Sequence, residues 1–312
     1  MKTYFGIDIG GTTIKFGLFH EDGELLEKWE IPTRKEHAGA LIPEDIALSL
    51  KEHAEKKKLT MAEISGIGVG VPGPVTEDGV VHQCPNLGWG TFSVAEKFQE
   101  LTGVENIKIG NDANVATLGE MWRGGGKGSE NIVMITLGTG VGGGVVIHGK
   151  ILTGSRGAAG EIGHLCVNYH EPDTCGCGKH GCLEQYASAT GIVKEAKRLL
   201  ARDSRETKLR DMEKLSAKGI FDAAKLGDTV ALELVEQLGF YLGMASSYLA
   251  QIVDPEVYVI GGGVSRAGKI LLDAIEKHYD ENVMDALKQK EFRLAELGND
   301  AGIYGAVKMV LS

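Results

Sequence analysis

The segment GIDIGGTTIKFGLF, residues 6–19, contains the pattern from which the fold can be predicted. An apolar stretch over residues 3–9 predicts a buried strand, the turn GGTT follows it, and residues 14–19 predict a returning strand. Residues 24–31 predict a third strand, so we expect an antiparallel meander. Residues 131–137, the turn GTGVGG and a second returning stretch repeat the pattern, which indicates two related lobes.

Helices are expected between and after these strands. A helix should begin at about Asn111, directly after the short strand 107–110. Residues 228–253 have apolar side chains at helical spacing, with Asp228 as a candidate N-cap. The C-terminal segment is also expected to be helical and to pack back on the first lobe. This alternation predicts an α/β protein. We expect a smaller lobe of residues 1–118 plus 300–312 and a larger lobe of residues 119–299.

Composition narrows the classes of function. The chain has 312 residues, 43% of them hydrophobic and 24% charged, with a formal net charge of -10. This charge argues against nucleic acid or an anionic membrane surface as a main partner. The sequence contains no stretch with the length of a transmembrane helix, and its N-terminus lacks the layout of a signal peptide. We therefore expect a cytoplasmic protein in a reducing environment, where disulfides are rare.

The two glycine-threonine turns are candidate phosphate sites. The first follows Asp8, and the second runs over residues 138–144. Such turns expose several backbone N–H groups on a concave surface, which can bind phosphate without net positive charge. Neither is a Walker A loop or a dinucleotide-binding fingerprint, and each alone could be an ordinary hairpin turn. Asp8 could hold a magnesium ion through water, or simply cap the turn.

Asp112 is the candidate general base. It lies at a predicted helix N-terminus just past a strand end, a position that favours a charged carboxylate. A carboxylate beside an alcohol can accept its proton as the oxygen attacks phosphorus. Helix capping is the alternative role, because Asn and Asp are common caps.

Several other polar residues suit a polyhydroxyl ligand. Carboxylates and amides that converge can each hydrogen-bond a hydroxyl pair, so such a site rejects analogues that lack one. These residues are Gly73, Asn86, Glu161, His164 and Glu184. Any one of them, taken alone, could be a solvated surface group.

At these positions the chain resembles the ROK family of repressors and sugar kinases, within the actin and hexokinase-like ATPase superfamily. DIGGTT and LGTGVGGGVV resemble its two phosphate motifs, and GAAGEIGHL followed by CGCGKHGCLE resembles its signature. The order of PNLGW and GNDAN is most similar to bacterial members that phosphorylate glucose. The resemblance implies a two-lobed fold of duplicated ribonuclease H-like domains with a central cleft, and ATP, Mg²⁺ and a hexose as ligands.

The resemblance also implies residue roles. Asp112 matches the catalytic base. The sugar-binding positions correspond to the polyhydroxyl set above together with Asn111 and Asp112. The nucleotide-phosphate and adenosine segments correspond to Gly6, Asp8, Gly10, Gly11, Thr12, Thr13, Thr139, Gly140, Val141, Gly142, Gly143, Gly262 and Gly263. The family is expected to form homodimers.

The segment CGCGKHGC, residues 175–182, carries three of the five cysteines. Cys175, Cys177 and Cys182 with a histidine at short spacing suit a tetrahedral zinc ion. Three thiolates and one imidazole fill all four places, so the metal is expected to be structural. The resemblance selects His164 as the fourth ligand; His170 and His180 are rivals, and a redox-sensitive thiol cluster is the alternative.

Other functions stay open from the sequence alone. A related kinase could prefer N-acetylmannosamine, N-acetylglucosamine or another hexose, because the contacts around C2 decide the preference. Polyphosphate could replace ATP as the donor, although the net charge offers no basic channel. A sugar-sensing regulator that does not phosphorylate, or a chaperone-like or filament-forming ATPase of the superfamily, is an alternative from another class.

Overall fold

The computed structural model describes residues 1–76 and 78–311, which form two five-stranded sheets, a two-stranded sheet and their helices. The strands are β1 (Thr3–Ile9), β2 (Thr13–His20), β3 (Leu25–Pro32), β4 (Ile64–Val71), β5 (Val80–Val81), β6 (Phe92–Ser93), β7 (Ile107–Asn111), β8 (Ile132–Leu137), β9 (Val141–Ile147), β10 (Lys150–Ile151), β11 (Val257–Gly261) and β12 (Glu291–Leu294). The helices are α1 (Glu36–Gly39), α2 (Ile42–Lys56), α3 (Val94–Thr102), α4 (Asp112–Arg123), α5 (Glu184–Ala187), α6 (Ala189–Arg202), α7 (Ala217–Lys225), α8 (Thr229–Val253), α9 (Lys269–Asn282) and α10 (Ala301–Val310).

The first sheet has the order β3-β2-β1-β4-β7. Its first three strands pair antiparallel, which confirms the predicted meander, and β4 and β7 run parallel to β1. Strand β1 is buried along almost its whole length because neighbours pair on both its edges. The parallel strands β1, β4 and β7 therefore end on one edge of this sheet, where β1 leads into the GGTT turn and β7 into α4.

The second sheet has the order β10-β9-β8-β11-β12. The two five-stranded sheets have the same arrangement. In each, the strand that comes first in the chain lies in the centre, the next two strands lie on one side of it, and the last two lie on the other. This shared order confirms the internal duplication that the repeated strand-turn-strand pattern predicted. Strand β11 is parallel to both β8 and β12, and β10 pairs antiparallel with β9.

The described chain divides into two compact units. The first comprises Met1–Gly128, Gly144–Gly160 and the C-terminal segment from Glu296; the second comprises Ser129–Gly143 and Glu161–Ala295. The lobe boundaries expected from the sequence stay a prediction, with Ser312 of the first lobe outside the described residues. The predicted boundary after residue 118 falls within α4.

The core of the first unit lies around its sheet. Fully buried Phe5, Ile7 and Phe16 form part of one apolar cluster there, and α10 packs on β1 and β4. In the second unit α8 packs against α9, and three aromatic rings, Tyr258, Tyr279 and Phe292, contact one another beside β11. In the described part of the chain, no helix combines the length and apolar character needed to cross a bilayer.

Candidate active site and metal centre

Two carboxylates of the first unit lie near each other at the ends of β1 and β7. Asp8 is the penultimate residue of β1, and Asp112 is the first residue of α4, directly after β7. Burial raises the pKa of Asp8 to about 6, Lys15 opposes that rise, and the charge of Asp112 adds to it. A Cβ added at Gly302, in the first turn of α10, would lie 2.6 Å from Cγ of Asp8. Asp8 thus lies beside a helix N-terminus and within electrostatic reach of the candidate base.

Asn111 fixes the start of α4 and the loop after β4. Its side-chain oxygen accepts hydrogen bonds from the backbone N–H groups of Ala113 and Asn114, so it is the helix N-cap. Its Nδ2 donates to the carbonyl oxygen of Gly73 at 3.2 Å. The structure therefore joins two residues predicted to bind sugar, and it places Asp112 immediately beside them in the chain.

The GGTT turn brings further residues together. Gly10 N–H donates to the carbonyl of Thr13 at 3.0 Å, and Thr33 N–H donates to the carbonyl of Thr12 at 2.9 Å. A Cβ added at Gly11 would be 3.9 Å from the backbone oxygen of Asn86. The PNLGW segment thus lies next to the predicted phosphate turn.

Lys35 is a residue that the sequence analysis missed. A Cβ added at Gly11 would lie 3.3 Å from its Nζ, so its ammonium group lies over the GGTT turn. It is exposed and comes more than twenty residues after the turn, and no motif in the sequence marks it.

Gly6 has a packing role. A Cβ at this position would lie 2.2 Å from the carbonyl oxygen of Ile303 in α10. Glycine is therefore needed here for β1 and α10 to approach each other. Contact between Gly6 and a nucleotide stays a prediction.

In the second unit, Glu184 touches the second glycine turn. Its Oε2 accepts a hydrogen bond from Val141 N–H at 3.0 Å. A Cβ at Gly140 would lie 2.1 Å from the same oxygen, so only glycine lets the carboxylate approach the turn this closely. The other carboxylate oxygen of Glu184, Oε1, is 3.9 Å from Sγ of Cys175. One carboxylate therefore connects a predicted phosphate turn to the cysteine loop.

Two cavities of the second unit lie beside predicted nucleotide residues. One, of about 330 Å³, is lined by Gly263 together with Phe221, Lys225 and Arg266. The other, of about 470 Å³, is lined by Thr139 with Lys194 and Lys197. Both volumes are in the range of small-molecule sites, and the lysines place positive charge near the Thr139 turn in a protein of negative net charge. Gly262, the residue before Gly263 in the chain, has a positive φ of 83°.

The predicted metal ligands form one cluster. The candidate ligand atoms of His164, Cys175, Cys177 and Cys182 all lie within 4.8 Å of one another. Within the described residues, neither His170 nor His180 belongs to this group. Glu161 lies at the start of the short helical turn that carries His164, and its backbone oxygen accepts from His164 N–H at 3.1 Å.

The spacing inside the cluster suits a tetrahedral ion. Sγ of Cys177 and Sγ of Cys182 are 3.6 Å apart, and Sγ of Cys175 is 3.8 Å from Nδ1 of His164. Metal–sulfur bonds of about 2.3 Å in a tetrahedron place ligand atoms about 3.7 Å apart. Burial and the neighbouring thiols raise the pKa of Cys182 to about 12. Three thiolates this close therefore need a cation to offset their charge.

The predicted site residues are divided between the two units. The first unit holds Gly6, Asp8, Gly10, Gly11, Thr12, Thr13, Gly73, Asn86, Asn111 and Asp112. The second holds Thr139, Gly140, Val141, Gly142, Gly143, Glu161, His164, Cys175, Cys177, Cys182, Glu184, Gly262 and Gly263. Their individual roles stay predictions.

Comparison with known proteins decides the family. The model of the ROK family matches residues 4–312. The chain belongs to the ROK family. A glucokinase from Halalkalibacterium halodurans is 45% identical over 97% of this chain and 93% of its own length. A glucokinase from Thermotoga maritima is 37% identical over 98% of this chain and 96% of its own.

A solved structure extends the likeness to the fold. The ROK family glucokinase from Streptomyces griseus, in complex with glucose and AMPPNP, superposes with a TM-score of 0.74 at 32% identity, and 98% of each chain is covered. The ROK sugar kinases share the actin and hexokinase-like ATPase fold, so the fold class expected from the sequence is confirmed.

Proposed function

We propose that this protein catalyses the ATP-dependent phosphorylation of glucose at its 6-hydroxyl, with Asp112 as general base. The observation that carries the proposal is the position of Asp112 at the start of α4, beside Asn111 and within electrostatic reach of Asp8. Relatives named glucokinase at 45% and 37% identity, and a similar structure in complex with glucose and AMPPNP, support glucose and ATP as substrates.

In the proposed reaction, Asp112 accepts the proton of the 6-hydroxyl as that oxygen attacks the γ-phosphorus of ATP. The bond from the γ-phosphorus to the bridging oxygen of ADP breaks, and ADP leaves. A helix N-terminus favours the charged form of Asp112, which is the form that can accept a proton.

The candidate nucleotide-binding features are the glycine turn of each unit and the two cavities of the second unit. Backbone N–H groups of the turns stabilise phosphate charge without side-chain reorganisation. The ammonium of Lys35 adds charge at the GGTT turn. The cavity beside Gly263 has room for adenosine. Asp8, a carboxylate at a strand end, would hold Mg²⁺ through water, and Mg²⁺ when bound neutralises charge on the transferring phosphoryl group.

The proposed sugar-binding residues are those that the family resemblance implies. In the first unit these are Gly73, Asn86 and Asn111 beside Asp112, and in the second unit Glu161, His164 and Glu184. Nδ1 of His164 faces the thiols, which leaves Nε2 for a sugar hydroxyl.

Structural Zn²⁺ is the metal proposed for the cysteine cluster. It would be held by His164, Cys175, Cys177 and Cys182, and with four protein ligands it has no place for a reactive water. When bound it cross-links the turn that follows Glu161 to the loop that precedes Glu184. The relatives named glucokinase support a cytoplasmic location, and we propose that the protein forms the homodimer that the family resemblance implies.

The experiment that tests this function is a coupled ADP-release assay with MgATP. Glucose, mannose, fructose, N-acetylglucosamine and N-acetylmannosamine are compared at equal concentration. We expect kcat/KM to be highest for glucose, because the polar set can hydrogen-bond each of its hydroxyls.

The other outcomes contradict parts of the proposal. If kcat/KM is higher for an N-acetyl sugar than for glucose, glucose is the wrong substrate, while the proposed base and metal site are unaffected. Absence of turnover with all five sugars would reject ATP-dependent phosphorylation of these sugars and favour a sugar-binding regulator or a kinase with another phosphoryl donor.

A further inference from the structure

A buried carboxylate outside the proposed substrate and metal sites interacts with both helices that follow the cysteine loop. The side chain of Glu171 is only 1% exposed, although it lies in an irregular loop. It is not one of the four clustered metal ligands. A buried charge requires partners, and those of Glu171 come from several elements.

Four groups surround this carboxylate. The two terminal nitrogens of Arg198 donate to its two oxygens, at 2.9 and 2.6 Å. Tyr186 O–H also donates to it, as does Asp173 N–H at 3.0 Å, and the ammonium of Lys194 lies 3.5 Å away. The bidentate guanidinium keeps the pKa of Glu171 well below its usual range, because it favours the charged form.

These partners connect the loop to α5 and α6. Tyr186 belongs to α5, whose first residue is Glu184, and Arg198 belongs to α6. On the loop side, Asn168 Nδ2 donates to the hydroxyl of Tyr186 at 2.9 Å. Helix α5 has only four residues, too few to hold its own direction. Its orientation therefore depends on side-chain contacts such as those of Tyr186.

Gln185 links the same region to the metal cluster. Its Nε2 donates to the carbonyl of Asp173 at 2.9 Å, and its Oε1 accepts from Cys182 N–H at 3.1 Å. Glu184 thus has two supports, which Gln185 connects. One is the cysteine cluster, and the other is the buried network centred on Glu171, which contains none of the clustered ligands.

We propose that Glu171 is a positioning residue, which through Tyr186 and Arg198 holds α5 so that Glu184 meets a sugar hydroxyl. The inference rests on the proposed function, in which Glu184 binds the sugar. A buried ion pair adds little net stability compared with apolar residues of the same size, but it fixes geometry. The network therefore acts on sugar affinity and leaves proton transfer by Asp112 unchanged.

The test compares Glu171→Gln with the wild-type enzyme. The amide keeps the size of the side chain but cannot accept from both guanidinium nitrogens and the tyrosine. We expect KM for glucose to rise on the order of tenfold, because small misplacement of a binding group is costly. The kcat should stay near the wild-type value, and zinc content measured by atomic absorption should not change. Glu213→Gln, at an exposed glutamate of the same unit, is the matched control.

Tyr186→Phe covers the case in which Glu171→Gln does not fold. This substitution removes one hydroxyl and keeps the ring, which packs on Tyr241 with 4.3 Å between the ring centroids. A smaller rise in KM for glucose is expected. A wild-type KM for glucose in folded Glu171→Gln, or in Tyr186→Phe if the first variant fails to fold, would overturn the inference, even if the melting temperature falls. A loss of zinc in step with KM would also overturn it.

The proposed function fails in a different way. If the wild-type enzyme does not turn over glucose, the proposed function is wrong and this inference falls with it. If the wild-type enzyme is active and the variants keep its KM for glucose, only the positioning role is wrong.

Discussion

A buried carboxylate such as Asp8 is a single residue whose chemistry is set by its surroundings. Its pKa rises from an ordinary value of 3.8 to about 6, mainly because burial disfavours the charged form. At neutral pH the folded protein nevertheless carries this charge close to Asp112. Such a residue weakens the fold at neutral pH, and a cation bound beside it would offset its charge.

We predict that Asp8→Asn makes the ligand-free protein more stable at pH 7 and abolishes turnover. Below pH about 3 Asp8 is protonated in both the folded and the unfolded state, so the wild type has no penalty there, and at pH 4 the penalty is still small. As the pH rises towards 6 the unfolded state ionises first, and wild-type stability falls. At about 1.4 kcal/mol for each pKa unit, the advantage of the variant at pH 7 is at most about 3 kcal/mol.

Urea unfolding at pH 4 and pH 7, without nucleotide or Mg²⁺, measures this effect. Asp211→Asn, at an exposed aspartate, is the control and should show little change at either pH. An Asp8→Asn protein that is equally stable or less stable than the wild type at pH 7 would show that Asp8 carries no such penalty.

Sequence reasoning succeeds at the residue scale where the signal is local. The helix predicted to begin at about Asn111 does begin there, and its N-cap is Asn111 rather than Asp112, for which the sequence analysis offered that role. The clustering of His164 with the three cysteines followed from the family resemblance. Glu171 gave no signal, because its partners Tyr186 and Arg198 lie 15 and 27 residues away. Only the folded chain brings such groups together.

At the scale of elements, the spacing of apolar residues predicts single helices and strands better than it predicts which strands pair in a sheet. The long helix α8 was predicted with its cap, and Asp228 accepts hydrogen bonds from Val230 and Ala231 N–H. The meander of β1, β2 and β3 was predicted because its connections are short. The place of β12 at the edge of the second sheet was not predicted, because a parallel neighbour depends on a crossover connection that sequence spacing does not specify.

The cysteine loop is an element that the proposed metal should hold in place. We predict that Cys177→Ala loses zinc, falling from about one ion per chain to near none, since three ligands remain of four. The melting temperature should fall, and glucose should bind on the order of tenfold more weakly, because Glu184 lies next to Cys175.

Zinc content, thermal unfolding and glucose titration check this prediction together. Cys166→Ala is the matched control, because that cysteine forms a β-bridge with Cys182 of the loop but lies outside the cluster, and the variant should keep its zinc. A folded, zinc-free Cys177→Ala protein with wild-type glucose affinity would separate the metal from the sugar site.

At the scale of the whole molecule, binding and catalysis should be separable by one substitution. Each unit contributes candidate sugar-binding residues, and only the first contributes the base. A ligand that binds the folded state alone stabilises the protein in proportion to its affinity. Thermal unfolding with glucose therefore reports binding, and ADP release reports the chemical step.

We predict that Asp112→Asn keeps the thermal shift and loses turnover. Asparagine still hydrogen-bonds a hydroxyl but cannot take its proton, so kcat should fall on the order of 10²–10⁴-fold. Glucose at about 100 times Kd stabilises by about 2.7 kcal/mol, which raises the melting temperature by about 5 °C in the wild type and nearly as much in the variant. Glu184→Ala is the comparison, and it should lose most of the shift. Near-normal turnover in Asp112→Asn would remove Asp112 as the base. A lost shift with lost turnover would instead make Asp112 chiefly a sugar ligand.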